Sequence, residues 1–264
     1  MKIGLSGLVL TMLIGAVSAA GQIMSNPGQW YINNQIYSTR VFNGVVANSM
    51  LRKKGGKTNE PAPKNDRTAL DYGVFKRGPN NLLPKRLAAK SGSGETERVF
   101  DAFIDLYRQT AGKDGFPADD LAYAFEYFVV NNYQIYHDLV ELPADKDPRA
   151  RRARDGFERI QILNEKKLQQ VSIGQERAVY GQFRRMLAAN PELAKMTDAQ
   201  KQEGAELMAI LFGVNFAVYM KGVNGGRDEV AEEARRMAKQ GLEKLLGAPI
   251  DKIRITNDGL EIEP

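Results

Sequence analysis

The chain has 264 residues, no cysteine, one histidine and a formal net charge of +5. The lack of cysteine excludes disulfides, cysteine catalysis and Cys-ligated metal, and a single histidine excludes a His-rich metal site. This length allows one large domain or two small ones, and their stability must come from a packed core.

The first 20 residues have the pattern of a secretory signal peptide. Lys2 gives a short positive region, an apolar run spans residues 3–17, and small residues follow from Ser18. The run is shorter than the about 20 residues of a membrane-spanning helix, and we expect no transmembrane segment elsewhere. We therefore expect cleavage after Ala19 or Ala20 and a periplasmic or secreted bacterial protein.

Residues 21–72 predict a flexible basic arm, because low hydrophobicity and like charges disfavour folding. A helical domain is predicted over residues 73–248, where apolar side chains recur at helical spacing. The predicted helices lie at 95–111, 117–137, 147–189 with an interruption at 172–174, 197–219 and 228–246. Pro117 is expected to open the second helix, and Thr197 with Gln200 forms a capping box for the fourth. In the third, Phe157, Ile160, Leu163, Leu168 and Val171 recur at helical spacing.

Residues 249–264 alternate apolar and polar side chains on both sides of Asn257-Asp258-Gly259. This pattern predicts a small β-hairpin with a glycine turn. An isolated hairpin is marginally stable, so it must pack on the helices. The predicted fold is mainly α, a bundle of about five helices with a C-terminal β-hairpin.

An internal repeat links the second and fourth predicted helices. The segment NYQIY at 132–136 matches NFAVY at 215–219. Two αα-hairpins related by duplication are one interpretation, and chance recurrence in a helical core is the other. Under duplication, Asn132 and Asn215 meet near a pseudo-symmetry axis, where buried amides need hydrogen-bond partners.

Asp119, Asp120 and His137 are the candidates for catalysis. Paired carboxylates beside an aromatic helix face suit glycan cleavage, a natural extracytoplasmic reaction. However, sequential acids point different ways, acids at a helix start are ordinary, and no GxSxG motif supplies a nucleophile. We therefore expect no catalytic residue, no metal and no cofactor. An extracytoplasmic hydrolase or small-ligand binder using the second-helix face is the alternative.

Arg149, Arg151, Arg152 and Arg154 form the densest basic stretch of the predicted domain. They suit contact with an anionic surface or an acidic partner, although a solvated helix face is the commoner origin of such charge. No aromatic platform or reader motif predicts nucleic-acid binding. The interaction candidates are therefore these four arginines with Asn132 and Asn215.

Several motifs resemble a family of exported bacterial proteins known only as a domain of unknown function. They are FPADDLAYA at 116–124, FVVNNY at 128–133, LAANP at 187–191, TDAQKQ at 197–202 and IRIT at 253–256 with GL at 259–260. The resemblance covers about residues 75–262, and the Arg-rich segment at 146–160 is longer than it implies. It implies a signal peptide and a helical domain, with no catalytic residue to transfer. The predicted function is a non-enzymatic module that binds a protein or an envelope component.

Overall fold

The structure is a computed structural model that describes residues 70–91 and 94–263. The predicted signal peptide, and the predicted arm up to residue 69, lie outside the described residues.

Helices and one hairpin make up the described part of the chain. The helices are α1 (Leu83–Ser91), α2 (Gly94–Asp114), α3 (Leu121–Tyr136), α4 (Gly156–Gln169), α5 (Ile173–Ala188), α6 (Pro191–Ala194), α7 (Asp198–Gly225) and α8 (Asp228–Leu246). The strands are β1 (Ile253–Thr256) and β2 (Gly259–Ile262), and single 3-10 turns lie at Ala150–Arg152 and Ile250–Lys252. The prediction of a mainly α fold with a small C-terminal β-hairpin is confirmed.

Helices α3 and α7 form the centre of the bundle. Every residue of α3 from Leu121 to Val130 is buried, and most of the 28 residues of α7 are buried too. Helix α7 packs against α2, α3 and α8, while α3 also packs against α5 and α8. Burial on all sides explains why both helices are hydrophobic around their whole circumference.

Among the described residues, α7 is the one helix long and apolar enough to cross a membrane, judged by length and composition alone. We expected no second apolar run of this kind. Inside the fold, 94% of its most apolar 18-residue window is buried against other parts of the chain. Its composition is therefore explained by its place in the core.

The two predicted αα-hairpins pack across each other. Helix α2 packs on α7 and α5 packs on α3, so each first helix lies against the second helix of the other hairpin. Phe125 of α3 stacks on Phe183 of α5 with ring centroids 5.6 Å apart. At the α2–α7 contact, a side chain on Gly213 would overlap the Phe103 ring. A twofold relation between the hairpins would give this same exchange, and the duplication itself stays a prediction.

Residues 70–82 form a segment ahead of α1 that we call the N-terminal strap. It pairs with the start of α3, because Leu121 donates its N–H to the carbonyl of Gly73 at 3.0 Å. Phe75 also donates its N–H to the carbonyl of Asp119 at 3.1 Å. The strap therefore covers the N-terminal end of the central helix.

Side chains from two other helices fix the ends of the strap. The carboxylate of Glu206 on α7 accepts the N–H groups of both Leu82 and Leu83 at 2.8 Å. At the other end, Arg184 of α5 donates to the carbonyl of Leu70 at 3.2 Å. The last three residues of the predicted arm thus belong to the folded domain. Helix α1, which the sequence did not predict, begins where Glu206 satisfies its first backbone donors.

Two helices begin later than predicted. Pro117 precedes α3, whose N-cap is Asp120, and the Asp120 side chain accepts the N–H of Ala122 at 2.9 Å. The segment predicted to be helical from Asp147 first forms a 3-10 turn and becomes α4 only after Asp155. In both places the acidic residue nearest the true start is the cap.

The C-terminal hairpin packs on α5. Its strands are antiparallel, with Ile253 opposite Ile262. The amide of Gln182 donates to the carbonyl of Leu260 at 2.9 Å and accepts its N–H at 2.7 Å. Gln175 adds a bond of 3.3 Å to the backbone of β1. Helix packing therefore supplies the support that a two-stranded hairpin lacks by itself.

Candidate functional site

Helix α4 has well-defined ends. Its N-cap Asp155 accepts the N–H of Glu158 at 2.8 Å, and the Glu158 carboxylate accepts the N–H of Arg154 at 2.6 Å. The first bond satisfies a donor that the first turn of a helix leaves free, and the second ties the residue before the cap to that turn. Just beyond the helix, the side-chain amide of Gln170 donates to the carbonyl of Leu139 at 3.0 Å. The segment is therefore held at both ends.

A buried ion pair attaches α4 to the domain. The Lys166 Nζ contacts Asp147 Oδ2, and the two side chains are 4% and 0% exposed. Asp147 Oδ1 also accepts the N–H groups of Arg149 and Ala150 at 2.9 and 3.0 Å. The main packing partner of α4 is the adjoining 3-10 turn. A buried amine needs its carboxylate, so this pair sets which side of α4 faces inward.

The opposite side of α4 is apolar and faces solvent. Phe157, Ile160 and Leu168 are 72%, 59% and 87% exposed, and we call these three residues the α4 stripe. Their spacing puts them on one side of the helix. Lys166 follows Phe157 by about two and a half turns, so its buried amine points the opposite way. Aligned exposed apolar side chains are typical of an interaction site.

The four arginines named as interaction candidates lie around the start of α4. Arg149 bonds to the end of α4 at 3.0 Å, Arg151 to the start of α8 at 2.8 Å, and Arg154 to the first turn of α4 at 3.1 Å. Arg152 is exposed and makes no ion pair within the described ranges. Two of the four therefore bond to α4 itself, and a third links the turn before α4 to α8.

Asn132 and Asn215 meet in the core, where the duplication would put them. The Asn215 Nδ2 donates to Asn132 Oδ1 at 2.6 Å, and Asn132 Nδ2 donates to the carbonyl of Phe128 at 2.8 Å. The Asn215 Oδ1 has no hydrogen-bond partner within residues 70–91 and 94–263. Both residues are fully buried. They therefore join α3 to α7, and their role as interaction residues stays a prediction.

Asp119 and Asp120 lie at the start of α3 and face different partners. Asp119 is about half exposed and accepts a bond from Arg77 at 2.6 Å. Asp120 is buried and accepts the hydroxyl of Tyr180 at 2.8 Å, with Arg184 Nε at 3.7 Å. Burial raises the pKa of Asp120, although its hydrogen bonds and Arg184 oppose the shift. This carboxylate is a structural cap.

His137 lies at the other end of α3, as its C-cap residue. Its ring lies against Tyr133 and Tyr136, with centroids 4.3 and 4.8 Å apart, and Nε2 is buried without a hydrogen-bond partner in the described part of the chain. Burial lowers the pKa of His137, and nearby Arg254 lowers it further. The imidazole is therefore neutral at pH 7 and is not the cation that the helix dipole would favour.

Asp138 closes α3 and does not orient the neighbouring imidazole. Its φ of 53° lies in the left-handed region, and Leu139 donates its N–H to the carbonyl of Gln134 at 2.7 Å. This geometry is a helix C-terminal motif usually built on glycine. The Asp138 carboxylate accepts bonds from Tyr219 at 3.1 Å and Arg235 at 2.7 Å. Those partners hold the carboxylate away from any catalytic role with the histidine.

The three candidate catalytic residues cannot act on one bond. Helix α3 has 16 residues and rises about 24 Å, and Asp120 and His137 cap its opposite ends. Asp119 lies beside Asp120 but is bound by the strap. A pair of acid–base groups must flank the same bond within about 10 Å. Within the described residues, no three metal-ligating side chains form a cluster either.

The burial of several charged side chains was not predicted. Glu126 lies in the middle of α3, Glu206 on α7 and Lys166 on α4, all nearly inaccessible to solvent. For Glu126 the signal was present, because apolar residues surround it on every side of the predicted helix. Lys166 and Glu206 bind segments distant in sequence, so local patterns could not identify them.

Glu126 makes stability depend on pH. Burial raises its pKa well above the ordinary value, and Glu176 and Asp114 add to the shift. The folded protein therefore holds a proton that the unfolded chain releases, and stability falls as pH rises through the window between the two pKa values. We expect Glu126→Gln to raise the free energy of unfolding at pH 8 and to have little effect at pH 4. Urea unfolding at both values checks this, with exposed Glu165→Gln as control, and parallel pH profiles for E126Q and wild type would contradict it.

The described residues define a mainly α domain with a C-terminal β-hairpin and an outlying helix, α4. The model of a family of unknown function (DUF6683) matches residues 2–154 and 169–263. The chain belongs to this family. No curated protein and no solved structure matches the chain. The unmatched residues 155–168 include the whole α4 stripe and Lys166, so the candidate site lies in an insertion relative to the family.

Proposed function

We propose that the protein is exported to the bacterial cell envelope and acts there as a non-enzymatic interaction module, with the α4 stripe as its binding surface. The observation that supports binding is the exposure of three large apolar side chains in line on one helix. Soluble domains rarely leave such a row in water without a partner. Export is supported by the signal-peptide pattern, and the family match begins at residue 2 and so includes that pattern.

The rival proposal, a hydrolase or small-ligand binder on the face of α3, has less support. That face is buried along most of the helix, and the candidate acids and histidine are separated by its length. Catalytic groups need a shared cavity and a free side chain. Asp119, Asp120 and Asp138 instead bind Arg77, Tyr180 and Arg235.

Site-specific photo-crosslinking in intact bacteria tests the proposal. A photoreactive residue is placed singly at Phe157, Ile160 or Leu168, and at Val74 as an exposed apolar control on the strap. We expect specific adducts, with protein or with lipid, at the three α4 positions and not at Val74. N-terminal sequencing of the same protein is expected to find a start at residue 20 or 21.

Two results would refute this function. Equal labelling at Val74 and at the α4 positions, or no labelling at either, would refute the assignment of the α4 stripe as the binding surface. An uncleaved chain confined to the cytoplasm would refute the proposal that the protein is exported.

A further inference from the structure

We propose that the α4 stripe docks on an anionic lipid bilayer. This inference rests on the proposed function, and it names the partner of the same surface. An amphipathic helix that lies in the headgroup region presents a row of bulky apolar side chains with cations beside it. Helix α4 has both features.

The orientation of α4 suits insertion of the stripe into a bilayer that lies against its solvent-facing side. The Lys166–Asp147 ion pair faces the domain, so Phe157 and Leu168 point outward at opposite ends of the helix. Ile160 lies between them on the same side. A helix held in this way can lower its apolar side chains into a bilayer without unfolding any part of the core.

The charge around α4 is predominantly positive. Apart from the buried pair, residues 149–169 contain six cations and three carboxylates. Of the cations, Arg152, Arg159 and Lys167 are exposed and make no ion pair among the residues described. Lys167 follows Ile160 by two turns and so lies at the edge of the stripe. Long cationic side chains at such an edge can reach lipid phosphates while their stems stay in the apolar layer.

A bilayer fits this surface better than a second copy of the chain. A stable protein interface needs about 800 Å² from each partner, more than three side chains of a 14-residue helix provide. The stripe is also interrupted by the polar side chain of Asn164. A fluid bilayer needs neither a minimum area nor shape complementarity, because lipid packs around whatever is inserted.

Vesicle binding by the purified full chain tests the proposal, with the same N-terminus in every variant. Wild type and variants are floated with vesicles of phosphatidylcholine alone or with about a third phosphatidylglycerol. We expect wild type to bind the anionic vesicles, and Phe157→Ser with Leu168→Ser to lower the partition coefficient about a hundredfold or more. Val74→Ser is the apolar control.

The charge contribution is measured separately. We expect Arg152→Gln with Lys167→Gln to weaken binding to anionic vesicles about tenfold and to leave binding to neutral vesicles unchanged. Lys85→Gln with Arg98→Gln makes the same charge change on α1 and α2 and is expected to have a smaller effect. Because the chain has no cysteine, F157C, L168C and V74C each allow one fluorescent label. The label is expected to shift to the blue on vesicles at the first two positions only.

Equal vesicle binding by wild type and the F157S/L168S variant would overturn the proposal. The proposal would also be overturned if wild type did not bind vesicles but self-associated, and the F157S/L168S variant did not self-associate. That result would identify a second copy of the chain as the partner. Protein adducts at α4 without vesicle binding would overturn the lipid assignment and leave the proposed function standing. If neither adducts nor vesicle binding were observed, the lipid assignment and the proposed function would both be refuted.

Discussion

Replacing Gly222 with alanine is expected to lower the free energy of unfolding by about 2–3 kcal/mol. Gly222 lies where α7 meets α8, and a Cβ there would come within 2.9 Å of the Cα of Ala231 and still closer to its backbone nitrogen. A backbone cannot rotate away as a side chain can. The two helices must therefore separate, and buried contacts along both must loosen.

The matched control is Gly112→Ala on α2. Apart from the adjoining backbone of its own helix, no described atom lies within 4 Å of the position that its Cβ would take. Alanine in an open helical site is expected to stabilise by about 0.5–1 kcal/mol, because it restricts the unfolded chain. Urea unfolding of both variants measures the difference, and a G222A protein as stable as G112A would contradict the close α7–α8 contact.

Removing the partner of Lys166 is expected to release α4 from the domain. Asp147→Asn leaves the amine of Lys166 buried without a carboxylate, which costs about 3 kcal/mol or more. Since α4 has few other packing partners, the cost is expected to appear as local opening of this helix. Hydrogen exchange of residues 156–169 should speed up greatly, while exchange in α7 stays slow.

A second substitution isolates the charge effect. Adding Lys166→Met to D147N replaces both charges by neutral groups of similar size, and we expect most of the protection of α4 to return. Asp105→Asn on the exposed side of α2 is the control for a simple loss of charge. If α4 exchanges at the wild-type rate in D147N, the ion pair does not attach the helix.

Local signals in the sequence located most of the helices. The predicted capping box of Thr197 and Gln200 opens α7, and its two reciprocal bonds are present. The asparagine repeat also led to a correct contact, since Asn132 and Asn215 bond to each other. Cap and turn signals work because they involve residues only a few positions apart. The repeat was informative because its two segments occupy similar places in the core.

Start sites that depend on distant segments were not predictable. Helix α1 begins where Glu206, more than a hundred residues later, accepts its first N–H groups. Helix α3 begins after its N-cap Asp120, at the place where the strap pairs with its N-terminal end. A local pattern contains no information about either partner.

The basic part of the candidate site could be predicted from the sequence, and its exposed apolar part could not. The arginines stood out as a dense basic stretch, but spacing alone could not separate a core face from a solvent face. Phe157 and Val171 belong to the same predicted segment, yet Val171 is buried and Phe157 is exposed. Helical spacing shows which residues share a side of a helix. Whether that side faces the core or solvent depends on the rest of the fold.

The sequence by itself determined the helical class, the C-terminal hairpin and the absence of disulfides. Each of these depends on composition, on periodicity or on residues close together in the chain. Only the tertiary structure decided that Asp120 is buried against Tyr180, and that α4 turns its apolar side outward. The physical reason is the buried Lys166–Asp147 pair. Burying an amine requires its carboxylate, so the pair keeps this side of α4 against the domain while the three apolar side chains face solvent.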